Sequence, residues 1–292
     1  MSTEVELFEL PSGRVIEVLD TGPDDGQAFV FHFGTPGVAA AFPPLIAAAG
    51  ERGLRTIIMS RPGYRDSTRD PARVVADVAA DTASVLDGLG AATFICAGWS
   101  GGGPHALACS ALLRERCLGT ATIAGVAPYG ADGLDWLEGM GPENVEEFTA
   151  ALAGEEQLRA FLEKEKAAYA DVQGPDIAAA LGGLVSEVDK AALTGDFADF
   201  MAANMRAAVG SSIEGWLDDD LAFTRPWGFD LADVGPVSIW QGAEDRMVPP
   251  AHGRWLAEHV PGARVHLYDK HGHLSLAVAS LGLILDDLVS YL

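Results

Sequence analysis

The sequence contains few cysteines, few basic residues and no long apolar run, and each shortage excludes a class of protein. Its three cysteines (Cys96, Cys109 and Cys117) are an odd number without the spacing of a zinc site, which favours a reducing, cytoplasmic environment. The most apolar late stretch, residues 274–285, is too short to cross a bilayer. The N-terminus is acidic and has neither the basic nor the apolar part of a signal peptide.

The shortage of basic residues indicates which partners the protein avoids. Lys and Arg number 19 against 42 Asp and Glu, which gives a formal net charge of −23 at pH 7. Such a charge repels nucleic acid phosphates and anionic membranes, so we expect neither as a partner. No Gly-x-Gly-x-x-Gly opens the first strand–helix unit, no Walker lysine is found and no His-Glu-x-x-His is present. We therefore expect no organic cofactor and no metal, and nothing in the sequence indicates an oligomeric state.

Most of the 292 residues follow a strand–helix alternation. The chain opens with two strands, residues 5–10 and 14–19, which are predicted to pair antiparallel at a sheet edge. The later alternation predicts an α/β fold with a mostly parallel central sheet of about eight strands and helices on both faces. The later predicted strands cover residues 28–33, 55–60, 93–97, 120–124, 237–241 and 264–268, and the predicted helices cover residues 39–52, 71–89, 104–113, 249–259 and 274–292.

The alternation is interrupted between residues 128 and 224. This segment contains 20 Asp and Glu against 5 Lys and Arg, a net charge of −15, and no convincing strand. Val145, Phe148 and Leu152 repeat at helical spacing, which is typical of an amphipathic helix. We therefore predict a helical cap over residues 128–224, called the cap segment below, inserted into a core formed by residues 1–127 and 225–292.

The stretch Gly98-Trp99-Ser100-Gly101-Gly102 stands between an apolar strand and a helix, which is the layout of a nucleophile elbow. In such a turn the serine backbone is strained and its hydroxyl projects beyond the sheet. Strand and helix also pass so closely that the positions two before and two after the serine must be small. Gly98 and Gly102 meet that requirement, so Ser100 is the predicted nucleophile.

Two later strand ends provide groups that would activate a serine. A serine hydroxyl needs a base to accept its proton, and the base needs a third group to orient it. Asp245 follows one strand and His273 follows the last, so the chain order Ser, Asp, His is the one expected for α/β-hydrolases. Glu244 and His271 are neighbouring competitors. The spacing to Val-Pro favours Asp245, and the preceding glycine and following helix favour His273.

Three motifs in combination carry a resemblance to a known family: Gly-Trp-Ser-Gly-Gly-Gly-Pro-His, Gly-x-x-Asp-x-x-Val-Pro and Gly-His-Leu. With them the chain resembles, over nearly its whole length, an α/β-hydrolase with a serine nucleophile and a helical cap. The resemblance implies that Ser100 is the nucleophile, Asp245 the orienting acid and His273 the base. It also implies an oxyanion hole formed by the backbone N–H groups of Thr35 and Gly101.

The chain departs from the family pattern after the third strand. Relatives often have His-Gly-x-Pro there, whereas this chain has Phe33-Gly34-Thr35-Pro36. Because the oxyanion hole needs backbone N–H groups, this change need not abolish it. Residues 60–64, Ser-Arg-Pro-Gly-Tyr, are similar to the family's segment after its fourth strand. Phe33 and Trp99 are expected to line the pocket, and three histidines are expected at the surface: His252, His259 and His266.

The resemblance implies a cytoplasmic serine hydrolase that cleaves a small-molecule ester through an acyl-enzyme, in the manner of a carboxylesterase. A prolyl-type aminopeptidase is an alternative, because an acidic cap could hold the cationic amine of its substrate. A hydrolase of C–C bonds and a low-turnover sensor or partner-binding relative are further alternatives. The sequence leaves the choice open, because specificity depends on the cap and the pocket walls.

Overall fold

The computed structural model describes residues 4–292, and its centre is an eight-stranded sheet. The strands are β1 Val5–Glu9, β2 Val15–Thr21, β3 Gln27–His32, β4 Leu54–Met59, β5 Phe94–Trp99, β6 Cys117–Ile123, β7 Val237–Gly242 and β8 Arg264–Tyr268. Across the sheet they lie in the order β1-β2-β4-β3-β5-β6-β7-β8. The β1–β2 and β2–β4 pairs are antiparallel, and all other neighbours are parallel. The predicted edge hairpin and fold class are confirmed.

Helices cover both faces of this sheet and supply the apolar contacts that its inner strands need. All six residues of β5 and all six of β7 are buried, as expected for parallel strands covered on both sides. The α-helices within residues 4–292 are α1 Pro43–Gly50, α2 Val78–Gly88, α3 Gly102–Leu112, α4 Pro142–Ala153, α5 Glu155–Tyr169, α6 Ile177–Ala180, α7 Glu187–Ala192, α8 Gly195–Gly210, α9 Glu214–Phe223, α10 Pro250–His259, α11 His273–Ala279 and α12 Leu281–Val289.

The six helices α4–α9 all fall within the cap segment, and the described chain contains no strand between β6 and β7. The apolar faces of α4 and α8 pack into the common core through Phe148, Phe197 and Met205. The division of the chain into a cap and a core at residues 128 and 224 stays a prediction. None of the helices described here combines the length and apolar character that a bilayer-spanning helix requires.

Two predicted helices begin later in the structure than in the sequence pattern. The predicted helix over 39–52 begins at Pro43, because Ala39 N donates to Ser60 Oγ (2.8 Å) and Val38 N donates to Asn204 Oδ1 (3.3 Å). The predicted helix over 71–89 begins as a 3-10 turn at Val75 and becomes α2 at Val78. The predicted last helix is divided at residue 280 into α11 and α12.

Candidate active site

The elbow between β5 and α3 has the strained geometry that its sequence predicts. Ser100 has φ = 57°, a left-handed conformation that non-glycine residues rarely adopt. Its N–H donates to the carbonyl oxygen of Ile123 (2.8 Å), which ties the turn to the end of β6. A Cβ on Gly98 would clash with the carbonyl of Gly102, and a Cβ on Gly102 would clash with the carbonyl of His32. Close packing of strand and helix therefore holds Ser100 at the carboxyl edge of the sheet.

His273 and Asp245 meet at the same edge, although 28 residues separate them. The Nδ1 of His273 lies 2.8 Å from Oδ2 of Asp245. The other carboxylate oxygen of Asp245 accepts hydrogen bonds from the N–H groups of Met247 (2.9 Å) and Val248 (2.8 Å), so the turn after β7 fixes the acid. Both side chains are almost completely buried. An acid held in this way can orient one tautomer of the imidazole and leave Nε2 free to accept a proton.

His271, the competing histidine, does not reach this acid. Its ring lies edge-on to Tyr268, with ring centroids 5.5 Å apart. Its backbone carbonyl accepts a hydrogen bond from the N–H of Glu244 (2.9 Å), so both competitors stabilise the loop rather than the imidazole. The structure therefore brings Asp245 and His273 together and keeps Glu244 and His271 apart from them.

Asp189, in helix α7 of the cap segment, binds the helix that carries His273. Its Oδ2 accepts from the N–H of His273 (2.9 Å), and its Oδ1 accepts from the N–H groups of Leu274 (3.0 Å) and Ser275 (2.8 Å). The hydroxyls of Ser275 (2.8 Å) and Ser186 (3.1 Å) donate to the same carboxylate, which is fully buried. This carboxylate caps the first turn of α11, where N–H groups would otherwise lack partners. No motif pointed to Asp189, because a local pattern cannot link residues that lie 84 positions apart.

The two carboxylates set the proton affinity of His273. Burial alone would lower the pKa of the imidazole, but the charges of Asp245 and, to a smaller extent, Asp189 outweigh burial and raise that pKa above its ordinary value. The shift favours the imidazolium, which is the form that a base acquires when it takes a proton from serine.

The predicted oxyanion donors lie beside the elbow. Gly34 is packed so closely against the serine that a Cβ at Gly34 would lie 3.1 Å from Ser100 Cβ, and a Cβ at Gly101 would lie 2.5 Å from Thr35 Oγ1. Within residues 4–292, the backbone N–H groups of Thr35 and Gly101 donate no hydrogen bond to another backbone group. An oxyanion hole needs two such unpaired N–H donors beside the nucleophile, and the assignment of Thr35 and Gly101 to that role stays a prediction.

A buried ion-pair cluster holds the loop that contains Thr35. Arg61 donates to the carbonyls of Phe33 (2.7 Å) and Gly34 (2.8 Å) and forms an ion pair with Asp219 of α9 (2.6 Å). The same carboxylate accepts a hydrogen bond from the hydroxyl of Thr35 (2.9 Å). Burial alone would raise the pKa of Asp219, but Arg61 and Arg73 hold it well below its ordinary value. The cluster therefore fixes the Phe33 and Gly34 carbonyls, and no sequence motif pointed to Asp219 as this second anchor.

A cavity lies over the serine, between the sheet edge and the cap segment. It has about 110 Å³ available to the centres of water-sized molecules. Ser100 and His273 both line it, and Trp99 and Phe33 line it as well. Trp99 also stacks on His273, with ring centroids 5.7 Å apart. Six apolar side chains of the cap segment also line it: Leu181, Leu184, Phe200, Met201, Met205 and Trp216.

One of the three histidines predicted at the surface is buried, so the prediction for His252 is wrong. Its Nδ1 accepts from Ala127 N (3.1 Å), and its Nε2 lies 2.9 Å from the carbonyl of Trp136. Burial lowers the pKa of His252 to about 4. His252 therefore joins α10 to the loop between β6 and α4. His259 is exposed, and His266 is half-buried against Trp240, with ring centroids 3.8 Å apart.

The structure also brings together three metal-binding residue types behind the elbow. One ligand atom from each of His32, Cys96 and Cys109 lies within 4.8 Å of the other two, and all three residues are fully buried. Their positions in the chain do not predict this contact. Within the described part of the chain no fourth His, Cys, Asp or Glu joins the trio, whereas structural zinc sites use four ligands. These residues pack in the core between β3, β5 and α3.

Comparison with known proteins agrees with this architecture. The model of the alpha/beta hydrolase fold family matches residues 27–279. The chain belongs to the α/β-hydrolase family. A search of curated proteins found no match.

Among solved structures, this α/β hydrolase is similar to a hydrolase from Pseudomonas aeruginosa (TM-score 0.70, 15% identity, 99% of each chain covered). It is also similar to an esterase from Exiguobacterium antarcticum (TM-score 0.68, 21% identity, 98% of each chain). A third similar structure is an enol-lactonase from Burkholderia xenovorans (TM-score 0.67, 17% identity, 98% of this chain and 99% of that one). At these identities the likeness concerns the fold.

Proposed function

We propose that this α/β hydrolase is a serine esterase that cleaves small-molecule esters through an acyl-enzyme. The observation that carries the proposal is the meeting of Ser100, at φ = 57°, with His273 in one cavity, where Nδ1 of the histidine lies 2.8 Å from Asp245. This is the set of groups that acyl transfer requires, namely a nucleophile, a base and an orienting acid. Esterase and enol-lactonase neighbours are consistent with it.

In the proposed first half-reaction, the Oγ of Ser100 attacks the ester carbonyl while Nε2 of His273 accepts the hydroxyl proton. The carbonyl oxygen becomes an oxyanion, which the N–H groups of Thr35 and Gly101 bind. The C–O bond to the alcohol then breaks, and the imidazolium gives its proton to the departing alkoxide. A serine ester remains, and the alcohol is released.

In the second half-reaction, His273 takes a proton from a water molecule, which attacks the serine ester through the same oxyanion hole. Collapse of this intermediate breaks the bond to Ser100, and the imidazolium returns a proton to the serine oxygen. The products are the carboxylic acid and the free enzyme. Esters are favoured over amides, because an alcohol leaves more readily than an amine.

Labelling with a fluorophosphonate tests the nucleophile. The native protein should be labelled stoichiometrically and lose activity toward phenyl propanoate, whereas Ser100→Ala should take up no label. Ser84→Ala, which removes a half-buried hydroxyl of α2 that donates to the carbonyl of Ala80 (2.9 Å), is the matched control and should be labelled like the native protein. Labelling of Ser100→Ala would contradict the proposal. Turnover of proline arylamides in preference to phenyl esters would instead indicate an aminopeptidase.

A further inference from the structure

Beside Ser100 lies a small side chamber whose wall includes a pair of carboxyl groups and the side chain of Asn144. Glu147 of α4 and Asp220 of α9 lie side by side there, close enough to share a proton. Ser100, Thr35 and Gly101 line the same chamber, and Glu147 also lines the main cavity. The pair therefore lies next to the atoms that would attack the ester and bind the oxyanion.

The acceptor atoms of this pair are largely unused. Asp220 is 1% exposed, yet neither of its carboxylate oxygens accepts a hydrogen bond from a donor within residues 4–292. Glu147 accepts one, from the indole N–H of Trp216 (2.7 Å). Buried carboxyl oxygens without donors are unfavourable and rare in folded proteins. The chamber thus presents several acceptors to whatever enters it.

The charge of the pair is not neutralised by a cation of the protein. Arg73 is the cation that acts on Asp220, but its guanidinium is already paired with Asp219 (2.7 Å). On the other side, Glu165 adds negative potential at Glu147. Burial raises the pKa of Glu147 and, more strongly, of Asp220, because a buried carboxylate loses its hydration. A cation bound beside the pair would favour the ionised form of both carboxyl groups.

We propose that the Glu147–Asp220 pair is a subsite for a small ammonium group of the substrate, close to the scissile carbonyl. An ammonium group has only donors, and the carboxylate oxygens of Glu147 and Asp220 offer it acceptors. The chamber has about 50 Å³ for the centres of water-sized molecules, which limits the group to a few heavy atoms. Phe148, Phe223 and Val126 form apolar walls for the adjoining methylene groups. The inference rests on the proposed esterase and specifies its substrate class as short esters with an amino group on the acyl chain.

Four phenyl esters of nearly equal size test the proposal: those of glycine, propanoic acid, glycolic acid and malonic acid, which present ammonium, methyl, hydroxyl and carboxylate groups. Initial rates of phenol release are corrected for spontaneous hydrolysis. Because a hydrogen bond between charged partners contributes about a tenfold effect or more, kcat/KM for the glycine ester should exceed that for the propanoate ester by about tenfold. The malonate ester should be the poorest substrate. Equal rates for the glycine and propanoate esters, or a preference for the glycolate ester, would overturn the proposal.

The isosteric variants Asp220→Asn and Glu147→Gln locate the effect. Each should reduce the preference for the glycine ester to about twofold or less and leave phenyl propanoate hydrolysis within about threefold of native. Asp218→Asn is the matched control, because it removes a carboxylate from the same helix that is bound instead to Arg69 (2.8 Å). If Asp218→Asn changes the preference for the glycine ester as much as Asp220→Asn does, that preference comes from a general charge effect and the subsite proposal is wrong.

A measurement on the native protein covers the case in which these variants do not fold. Ethylammonium should inhibit phenyl propanoate hydrolysis competitively, and sodium or tetramethylammonium at equal ionic strength should not. Equal inhibition by all three cations would overturn the proposal. Other results would contradict the proposed esterase function rather than the subsite. These are a native protein that is inactive on all four esters, or a Ser100→Ala variant that is active.

Discussion

Replacing Asp189 by asparagine should impair both the stability and the catalytic base, although this residue lies in the cap segment. Oδ2 accepts from the N–H of His273, and Oδ1 accepts from those of Leu274 and Ser275. An asparagine side chain has one oxygen. In either orientation of the amide, therefore, at least one buried N–H of the first turn of α11 faces an NH₂ group in place of an acceptor.

The loss of stability can be estimated from the number of N–H groups that lose their acceptor. A buried donor without a partner costs about 1–3 kcal/mol, and the remaining bonds lose their charge-assisted character. We expect the free energy of unfolding to fall by about 2 kcal/mol. For a chain of this size, such a loss lowers the melting temperature by roughly 4–8 °C. Displacement of the imidazole by a fraction of an ångström should lower kcat by about 10- to 100-fold.

A pH profile separates this role from general destabilisation. Asp189 raises the pKa of His273, so its neutralisation lowers that pKa. Because the base must be neutral to accept a proton, the acidic limb of the kcat/KM profile should move to lower pH in Asp189→Asn. Glu187→Gln is the matched control, since Glu187 is an exposed carboxylate on the same helix that pairs with Lys190 (2.7 Å). An Asp189→Asn profile that superimposes on that of Glu187→Gln would refute the reasoning.

The remaining predictions concern the proposed triad. Ser100→Ala should reduce kcat by about 10⁴- to 10⁶-fold with an unchanged melting curve, and turnover close to native would disprove the assignment. His273→Ala should lower kcat about as much as Ser100→Ala, the double variant should be little worse, and His271→Ala should have a mild effect. Steady-state kinetics of these four variants test this. An inactive His271→Ala variant would make His271 the base. Asp245→Asn should lower kcat by about 10⁴-fold and Glu244→Gln only slightly, and the opposite ranking would reassign the acid.

The features of this structure that could be predicted are those that short sequence patterns encode. Parallel strands bring their carboxyl ends to one edge, so the residues after β5, β7 and β8 had to converge, and Ser100, Asp245 and His273 could be chosen from the loops. The hydrophobic alternation likewise places all eight strands within a few residues.

The missed features depend on contacts between distant segments. Asp189 and Asp219 belong to an acidic segment, and nothing in their neighbours distinguishes them from solvated surface charges. The helix predicted over 39–52 does not include residue 39, because its N–H donates to the hydroxyl of Ser60 (2.8 Å). The burial of His252 could not be predicted either, because its hydrogen-bond partners lie 116 and 125 residues away along the chain.

The contact between α7 and α11 limits how this enzyme can be re-engineered. Exchanging the segment over 128–224 for that of a relative is an obvious route to a new specificity, but here the exchange would remove the carboxylate that holds the helix of His273. Gly272 makes the dependence mutual, because any side chain at that position would collide with Asp189. A graft that keeps activity must therefore carry an aspartate in register with residue 189, and selection on either element acts on the other.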